Sequence, residues 1–261
     1  AFGDVRPIAG PLDVLERAAQ RCQTMKLPTV LISGPPKTGK TVSVIRALGP
    51  SAYWICAERG ALIPAYDKEL NQWGVVPDHI EALDTARPFE QVQVAVKQAL
   101  VGCRQGKYSA IVIDTISALA EREFYRIRQM DHVSEGYGRA ARAFADKLQS
   151  LIWEIMATEV MFVAISHETE PVTFEGRFRP GGPRLPGKLV ESVPSMFDIV
   201  LRAGVEQSAT GAERVFRCDP LNREYVTGDR FNVVAAVEKM DLRAILQRAV
   251  TKTRQLDAAG G

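Results

Sequence analysis

Residues Gly34-Pro35-Pro36-Lys37-Thr38-Gly39-Lys40-Thr41 follow the pattern G-x-x-x-x-G-K-[ST]. They stand between an apolar run, Thr29 to Ile32, and a helical stretch that Gly49-Pro50 stops after Leu48. A chain that goes from strand through a glycine turn straight into a helix has opened a βα unit, and the alternation continues beyond Pro50. Ala52–Ala57 reads as a buried strand, Leu62–Trp73 as a helix and Ile80–Leu83 as a weaker strand. Phe89–Val101 reads as a helix with Val92, Val96 and Leu100 on one face. Ala110–Ile113 is the most strand-like segment, and Val160–Ile165 is another buried strand. Between them Ala140, Phe144, Leu148, Leu151 and Ile155 recur at helical spacing, predicting a long helix over about 138–157. Strands alternating with helices predict an α/β fold of three αβα layers with a mainly parallel central sheet.

The texture changes after Pro171. Residues 171–188 are rich in Gly, Pro and Arg and lose all periodicity, while Ile199–Arg202, Arg214–Cys218 and Phe231–Ala235 read as shorter strands of a sheet extension. Leu242–Thr251 reads as a terminal helix, and Leu12, Leu15, Ala18 and Ala19 mark a helix near the start. The expected division is an N-terminal helical segment (1–27), a core (28–238) and a C-terminal helix with a small-residue tail (239–261). Apolar residues at 46% supply a core large enough for one α/β domain of this length. A net charge of +2 is too small to announce a nucleic-acid partner, so any basic surface is local. The cysteines, Cys22, Cys56, Cys103 and Cys218, are scattered without C-x-x-C spacing, which suggests neither a disulfide framework nor a zinc site. No apolar run approaches the roughly 18 residues of a membrane helix, and the first residues show no signal-peptide pattern. The expectation is a cytoplasmic protein without a membrane partner.

The glycine loop carries the sharpest chemistry. Its glycines let backbone N–H groups point inward at phosphates, which would also meet the positive end of the following helix. The loop from Gly34 through Pro35, Pro36, Lys37, Thr38 and Gly39 to Lys40, Thr41 and Val42 is the expected nucleotide cradle. Lys40 would neutralise the β- and γ-phosphates, and the Thr41 hydroxyl would ligate Mg²⁺. Asp114 ends the run Ile111-Val112-Ile113 and is followed by Thr115 and Ser117. A carboxylate at that strand tip lies where such sheets bind ligands and can hold Mg²⁺ through a water, or it simply starts the next helix. Glu58 closes the run Tyr53-Trp54-Ile55-Cys56-Ala57 and can polarise a water that attacks the γ-phosphate, or lie on the surface. His167, after Met161–Ile165 and Ser166, can contact the γ-phosphate or be structural.

Basic residues gather in the aperiodic segment: Arg177, Phe178, Arg179, Arg184 and Lys188. Cations can track the phosphates of a single strand while Phe178 or Phe174 stacks on bases; the alternative is a solvated loop, its charge offset by Glu168, Glu170 and Glu175. Residues 121–139, with Arg122, Arg126, Arg128 and Gly136-Tyr137-Gly138, form a second candidate loop or a charged helix. Arg223 and Arg230 are candidates for a cation supplied across a subunit boundary, or are salt-bridged surface residues.

Taken together, the glycine loop, Cys56-Ala57-Glu58-Arg59-Gly60-Ala61-Leu62, Ile111-Val112-Ile113-Asp114-Thr115-Ile116-Ser117 and Phe162-Val163-Ala164-Ile165-Ser166-His167 resemble the RecA-type ATPase core. Within that superfamily the chain is most similar to the small phage-encoded RecA-like proteins of single-strand annealing and recombination, over about residues 28–235. The resemblance implies a catalytic Glu58, a magnesium aspartate at Asp114, a γ-phosphate sensor at His167 and DNA-facing loops at about 121–139 and 169–187. The sensor position holds His167 where RecA itself has glutamine. Also implied are ATP and Mg²⁺ as cofactors, single-stranded DNA as partner, a homo-oligomer (ring or filament), a single-strand-binding protein as a further partner, and the cytoplasm of a host cell. A hexameric helicase-type motor, a P-loop small-molecule kinase and a nucleotide-gated adaptor with little turnover are the competing functions.

Overall fold

The computed structural model describes residues 27–58, 79–82, 87–130, 137–158, 160–208 and 211–260. The helices expected near the start and at Leu62–Trp73 lie outside the described residues. Five parallel strands, β1 (Thr29–Ser33), β2 (Ala52–Cys56), β3 (His79–Ala82), β4 (Ala110–Asp114) and β5 (Met161–Ile165), alternate with helices α1 (Lys40–Leu48), α2 (Pro88–Arg104), α3 (Ile116–Met130) and α4 (Tyr137–Met156). An arm comes next, made of β6 (Glu168–Thr169), β7 (Val172–Phe174), β8 (Arg177–Arg179) and β9 (Gly182–Pro183), then a short helix α5 (Leu189–Ser192). The chain closes with β10 (Ile199–Ser208), β11 (Gly211–Arg217), β12 (Gly228–Asp229), β13 (Val237–Lys239) and α6 (Leu242–Gly260).

The sheet runs β13-β11-β10-β1-β5-β4-β2-β3, with β12 paired to β10. From β10 to β3 every pairing is parallel, and β11, β12 and β13 add antiparallel strands at one side. The chain leaves β1 towards β2 on one side and returns from β5 to β10 on the other. The C-terminal tip of β1 is therefore the switch point at which such sheets open a crevice.

Both faces of the parallel strands are covered, so their sequences read as continuous apolar runs. Leu31, Ile55, Ile113 and Phe162 pack under α2, α3 and α4 through Val92, Leu119, Phe144 and Leu148. Their neighbours Ile32, Trp54, Val112 and Val163 face the opposite way, against Val44, Ile45 and Leu48 of α1 and Ile245, Leu246 and Ala249 of α6. The result is three layers, αβα.

Two readings of the sequence change. Phe231–Ala235 is not a strand: the Asp229 carboxylate collects the amides of Phe231, Val233 and Val234, curling the chain into a turn, and the strand forms later at Val237–Lys239. The segment 171–188 is not irregular throughout, because β7 and β8 form a hairpin about Glu175-Gly176, both at positive φ. Strands of two or three residues are too short for a period of two to register. Of the second candidate loop, residues 121–130 lie in α3 and 137–139 open α4, so the charged-helix reading holds for the described part. Among the described residues no helix is long and apolar enough to cross a membrane.

The fully buried Leu246 of α6 lies in the layer it shares with α1. Leu246→Ala should cost about 2–5 kcal/mol in urea unfolding, while Leu256→Ala, which is 53% exposed, should change stability by less than about 0.5 kcal/mol.

Candidate functional site

At the tip of β1 the chain turns at Gly34, φ 153°, where an added Cβ would lie 2.5 Å from the Ala203 carbonyl oxygen. The loop is thus seated directly on the β10 backbone. Lys37 (φ 65°) and Gly39 (φ 98°) carry it through the left-handed region into α1. No side chain caps that helix, so its first amides are directed into the loop. Lys40 is buried and spans the turn, its Nζ donating to the Gly34 and Pro35 carbonyls at 2.8 and 2.7 Å. Burial lowers its pKa, opposed by the fields of Asp114, Glu168 and Glu58. Thr38 Oγ1 closes the turn on the Pro35 carbonyl at 3.0 Å, while Pro36 and Lys37 are exposed and Val42 half-buried.

Across the crevice, sheet register sets three side chains in a row. Cys56 pairs with Asp114, and Asp114 with Ile165, so Glu58 and His167 each lie two residues beyond the ends of the flanking strands. The amides of Ala57 and Glu58 both donate to the Asp114 carbonyl, drawing the end of β2 over β4. Thr41 Oγ1 donates to Asp114 Oδ2 at 2.8 Å, bringing the two expected magnesium ligands together. His167 Nε2 lies 2.9 and 3.2 Å from the two Glu58 carboxylate oxygens. Thr115 Oγ1 donates to Glu58 Oε1, Ser117 Oγ to Thr115 Oγ1, and the His167 amide to Ser117 Oγ, all at 2.9–3.0 Å. These bonds close a ring that fixes both Glu58 and His167. Thr115 and Ser117 are visible in the sequence as polar residues after Asp114, but their role in the ring is not.

Two hard oxygen donors side by side suit Mg²⁺, which takes one or two protein oxygens and completes its shell with phosphates and water. Asp114 is only 2% exposed. Burial raises its pKa to about 6, the Thr41 hydrogen bond and Lys40 opposing and Glu58 adding to the rise. Behind the loop a cavity of about 500 Å³ is lined by Gly39, Val42 and Ser43 on one side and Val205, Arg214 and Met240 on the other.

The remaining cations are dispersed. In the hairpin, Val172 pairs with Arg179, Thr173 with Phe178 and Phe174 with Arg177. Paired residues share a face, so Phe174, Arg177 and Arg179 stand together and Phe178 points the other way. Phe174 and Phe178 are exposed at 69% and 52%. Arg179 is also tied to the Gly187 carbonyl, Arg184 pairs with Glu121 at 2.8 Å, and Lys188 is exposed at the start of α5. Arg230 is held by Asp198 and the Ser195 carbonyl at the opposite end of the sheet from the glycine loop, which favours the salt-bridged reading for it. Arg223 is exposed.

Residues 26–231 match the family described as AAA domain. No curated protein matches the chain. Among solved structures the chain is similar to the flagellar accessory protein FlaH from Methanocaldococcus jannaschii, with 12% identity over 73% of this chain and 78% of that one, at a TM-score of 0.41. It is also similar to a KaiC-like protein from the hyperthermophilic archaeon Pyrococcus horikoshii OT3, with 15% identity over 73% and 77% and a TM-score of 0.39.

An ionised Asp114 at neutral pH is a buried charge, and its protonated form is favoured in the folded state up to about pH 6. The contribution of Asp114 to stability should therefore be lost as pH rises from about 4 through 6. In magnesium-free buffer Asp114→Asn should be more stable than the parent at pH 8 by on the order of 2–3 kcal/mol, the gap closing towards pH 4. Denaturant unfolding at the two pH values measures it; a less stable variant at pH 8 would contradict the burial argument.

Proposed function

Since this chain belongs to the AAA domain family, we propose that its site binds ATP with Mg²⁺ and hydrolyses it, coupled to single-stranded DNA in phage-type recombination, annealing or replication. The observation that carries the reading is the convergence of Lys40 and Thr41, which open α1, with Asp114, Glu58 and His167 at neighbouring strand tips. In this reading the loop amides and the Lys40 ammonium take the β- and γ-phosphates, Lys40 leaving the Gly34 and Pro35 carbonyls for them. Thr41 and Asp114 would hold Mg²⁺, which when bound offsets charge on the phosphate oxygens. Glu58 is one-third exposed and aimed by Thr115 and His167, so it can take a proton from a water facing the γ-phosphate. His167 lies between that carboxylate and the arm and is the group that registers loss of the phosphate. The cavity between α1 and β11 takes the nucleoside. Its position beside Gly39, Val42 and Ser43, behind the cradle, supports this.

The DNA assignment is supported by the hairpin face that carries Phe174 beside Arg177 and Arg179, a stacking platform flanked by cations. In this reading Phe178, on the other face, meets a neighbouring base or a second copy of the chain in a ring or filament. A single-strand-binding protein would share the same strand. One observation favours a second reading, a nucleotide-gated adaptor with little turnover: Glu58 is already engaged by His167 and Thr115. Phosphate release near zero alongside tight ATP binding would decide for it.

Lys40→Ala should weaken ATP binding by about 10- to 100-fold, read by fluorescent-nucleotide titration. Glu58→Gln should keep nucleotide bound while kcat falls by on the order of 10²-fold or more; undiminished hydrolysis would remove Glu58 from the reaction. Replacing Arg177 and Arg179 by Ala should weaken oligo(dT) binding and make its log–log salt dependence shallower by about 0.7 per cation removed. A parent protein that binds no oligo(dT) at low salt would end the DNA assignment.

A further inference from the structure

Behind His167 lies a second ionic cluster that the site chemistry does not use. Glu168, the next residue, has a side chain only 4% exposed, and Arg202 Nε and Nη2 grip its carboxylate at 2.9 and 3.0 Å. Arg202 stands on β10 opposite Ser33, one residue before the glycine loop. Its guanidinium stacks on the Tyr225 ring at 3.6 Å, and Tyr225 Oη donates to Glu170 Oε2 at 2.6 Å. Glu168 and Glu170 share a face of the extended chain, so one arginine and one tyrosine hold both. The far side of the arm is fastened to the same place. The Arg184 amide donates to the His167 carbonyl, and Gly181 packs so closely that an added Cβ would lie 2.5 Å from the Tyr225 ring and 2.7 Å from the Thr169 carbonyl oxygen.

Two features argue for more than surface decoration. A bidentate fork stacked on a ring demands arginine, since lysine offers a point charge without the plane. A carboxylate this buried is left uncompensated if its partner goes. The root of the arm is thereby joined rigidly to the strand next to the glycine loop on one side and to the sensor histidine on the other, while residues 172–178 project into solvent.

We propose that Arg202 is a positioning residue: through Glu168 it sets His167 against Glu58, and with Tyr225 it makes the arm and the phosphate site move as one. This rests on the reading of the site as an ATPase. Occupancy of the glycine loop is then felt at the hairpin root, and whatever the hairpin holds is felt at Glu58.

The test uses the full chain, with Arg202→Gln, Arg202→Lys and Tyr225→Phe compared with the parent. Amide hydrogen exchange of residues 168–183 is measured with and without a non-hydrolysable ATP analogue, and steady-state ATP turnover alongside. The expected result is that the analogue changes exchange in the parent and not in Arg202→Gln. Turnover of that variant should fall by on the order of tenfold or more with KM for ATP nearly unchanged, Arg202→Lys and Tyr225→Phe lying between. An analogue effect equal in parent and variants, or absent from all, overturns the proposal. A rise in KM with kcat kept would put Arg202 on the phosphates instead and also overturns it. If Arg202→Gln does not fold, the two milder variants decide by the same criteria. A parent that binds the analogue yet never turns ATP over defeats the ATPase reading alone, and the exchange comparison still decides the clasp.

Discussion

The hydrogen-bonded register of β4 between β2 and β5 is the constraint that builds the site. Cys56, Asp114 and Ile165 lie in one row, and the two outer strands run on by two residues, so their side chains converge over the buried aspartate. A slip of one residue in either pairing would turn Glu58 or His167 to the other face of the sheet. The continuous apolar character of all three strands, buried on both sides, is what prevents the slip. Core packing and the geometry of the site are thus the same property measured at two places.

Electrostatics at the crevice are arranged around incomplete compensation. Asp114 is buried with a hydroxyl beside it and an ammonium nearby, and its raised pKa says that these do not suffice. Lys40 is pulled in the opposite sense by its own burial. In the proposed reading both groups would be satisfied better by what a magnesium triphosphate brings than by each other, and the cost of holding them ready is carried by the folded protein. Glu168 differs: it is fully paired, and its partner arginine is pinned by a ring. The first set is poised for a ligand and the second for rigidity.

Much of this was legible in the sequence because the informative residues sit at strand tips. The apolar runs ending in Asp114, in Cys56-Ala57-Glu58 and in Ile165-Ser166-His167 give both the strands and the groups they present. The same rule could have flagged Arg202, which ends the run Ile199–Leu201, but one cation at a strand tip says nothing without its partner. Glu168 and Tyr225 lie 34 positions before and 23 after Arg202, and no local pattern links them. The hairpin stayed hidden because two short strands offer no period to detect, and the curl at Phe231–Ala235 because its cause is the carboxylate of Asp229 upstream. Long-range pairing and side-chain capture are where periodicity falls silent.

The helix after the glycine loop packs beside α6 on one face of the sheet, with Leu242, Ile245, Leu246 and Ala249 in the same apolar cluster and Arg243 bound to the Arg46 carbonyl at 2.6 Å. That arrangement makes the cradle an anvil. With its helix braced by a neighbour in the same layer, the loop has little freedom to recoil. In the reading of the site as an ATPase, any displacement made there would pass through His167 and its clasped root to residues 172–178, which project into solvent.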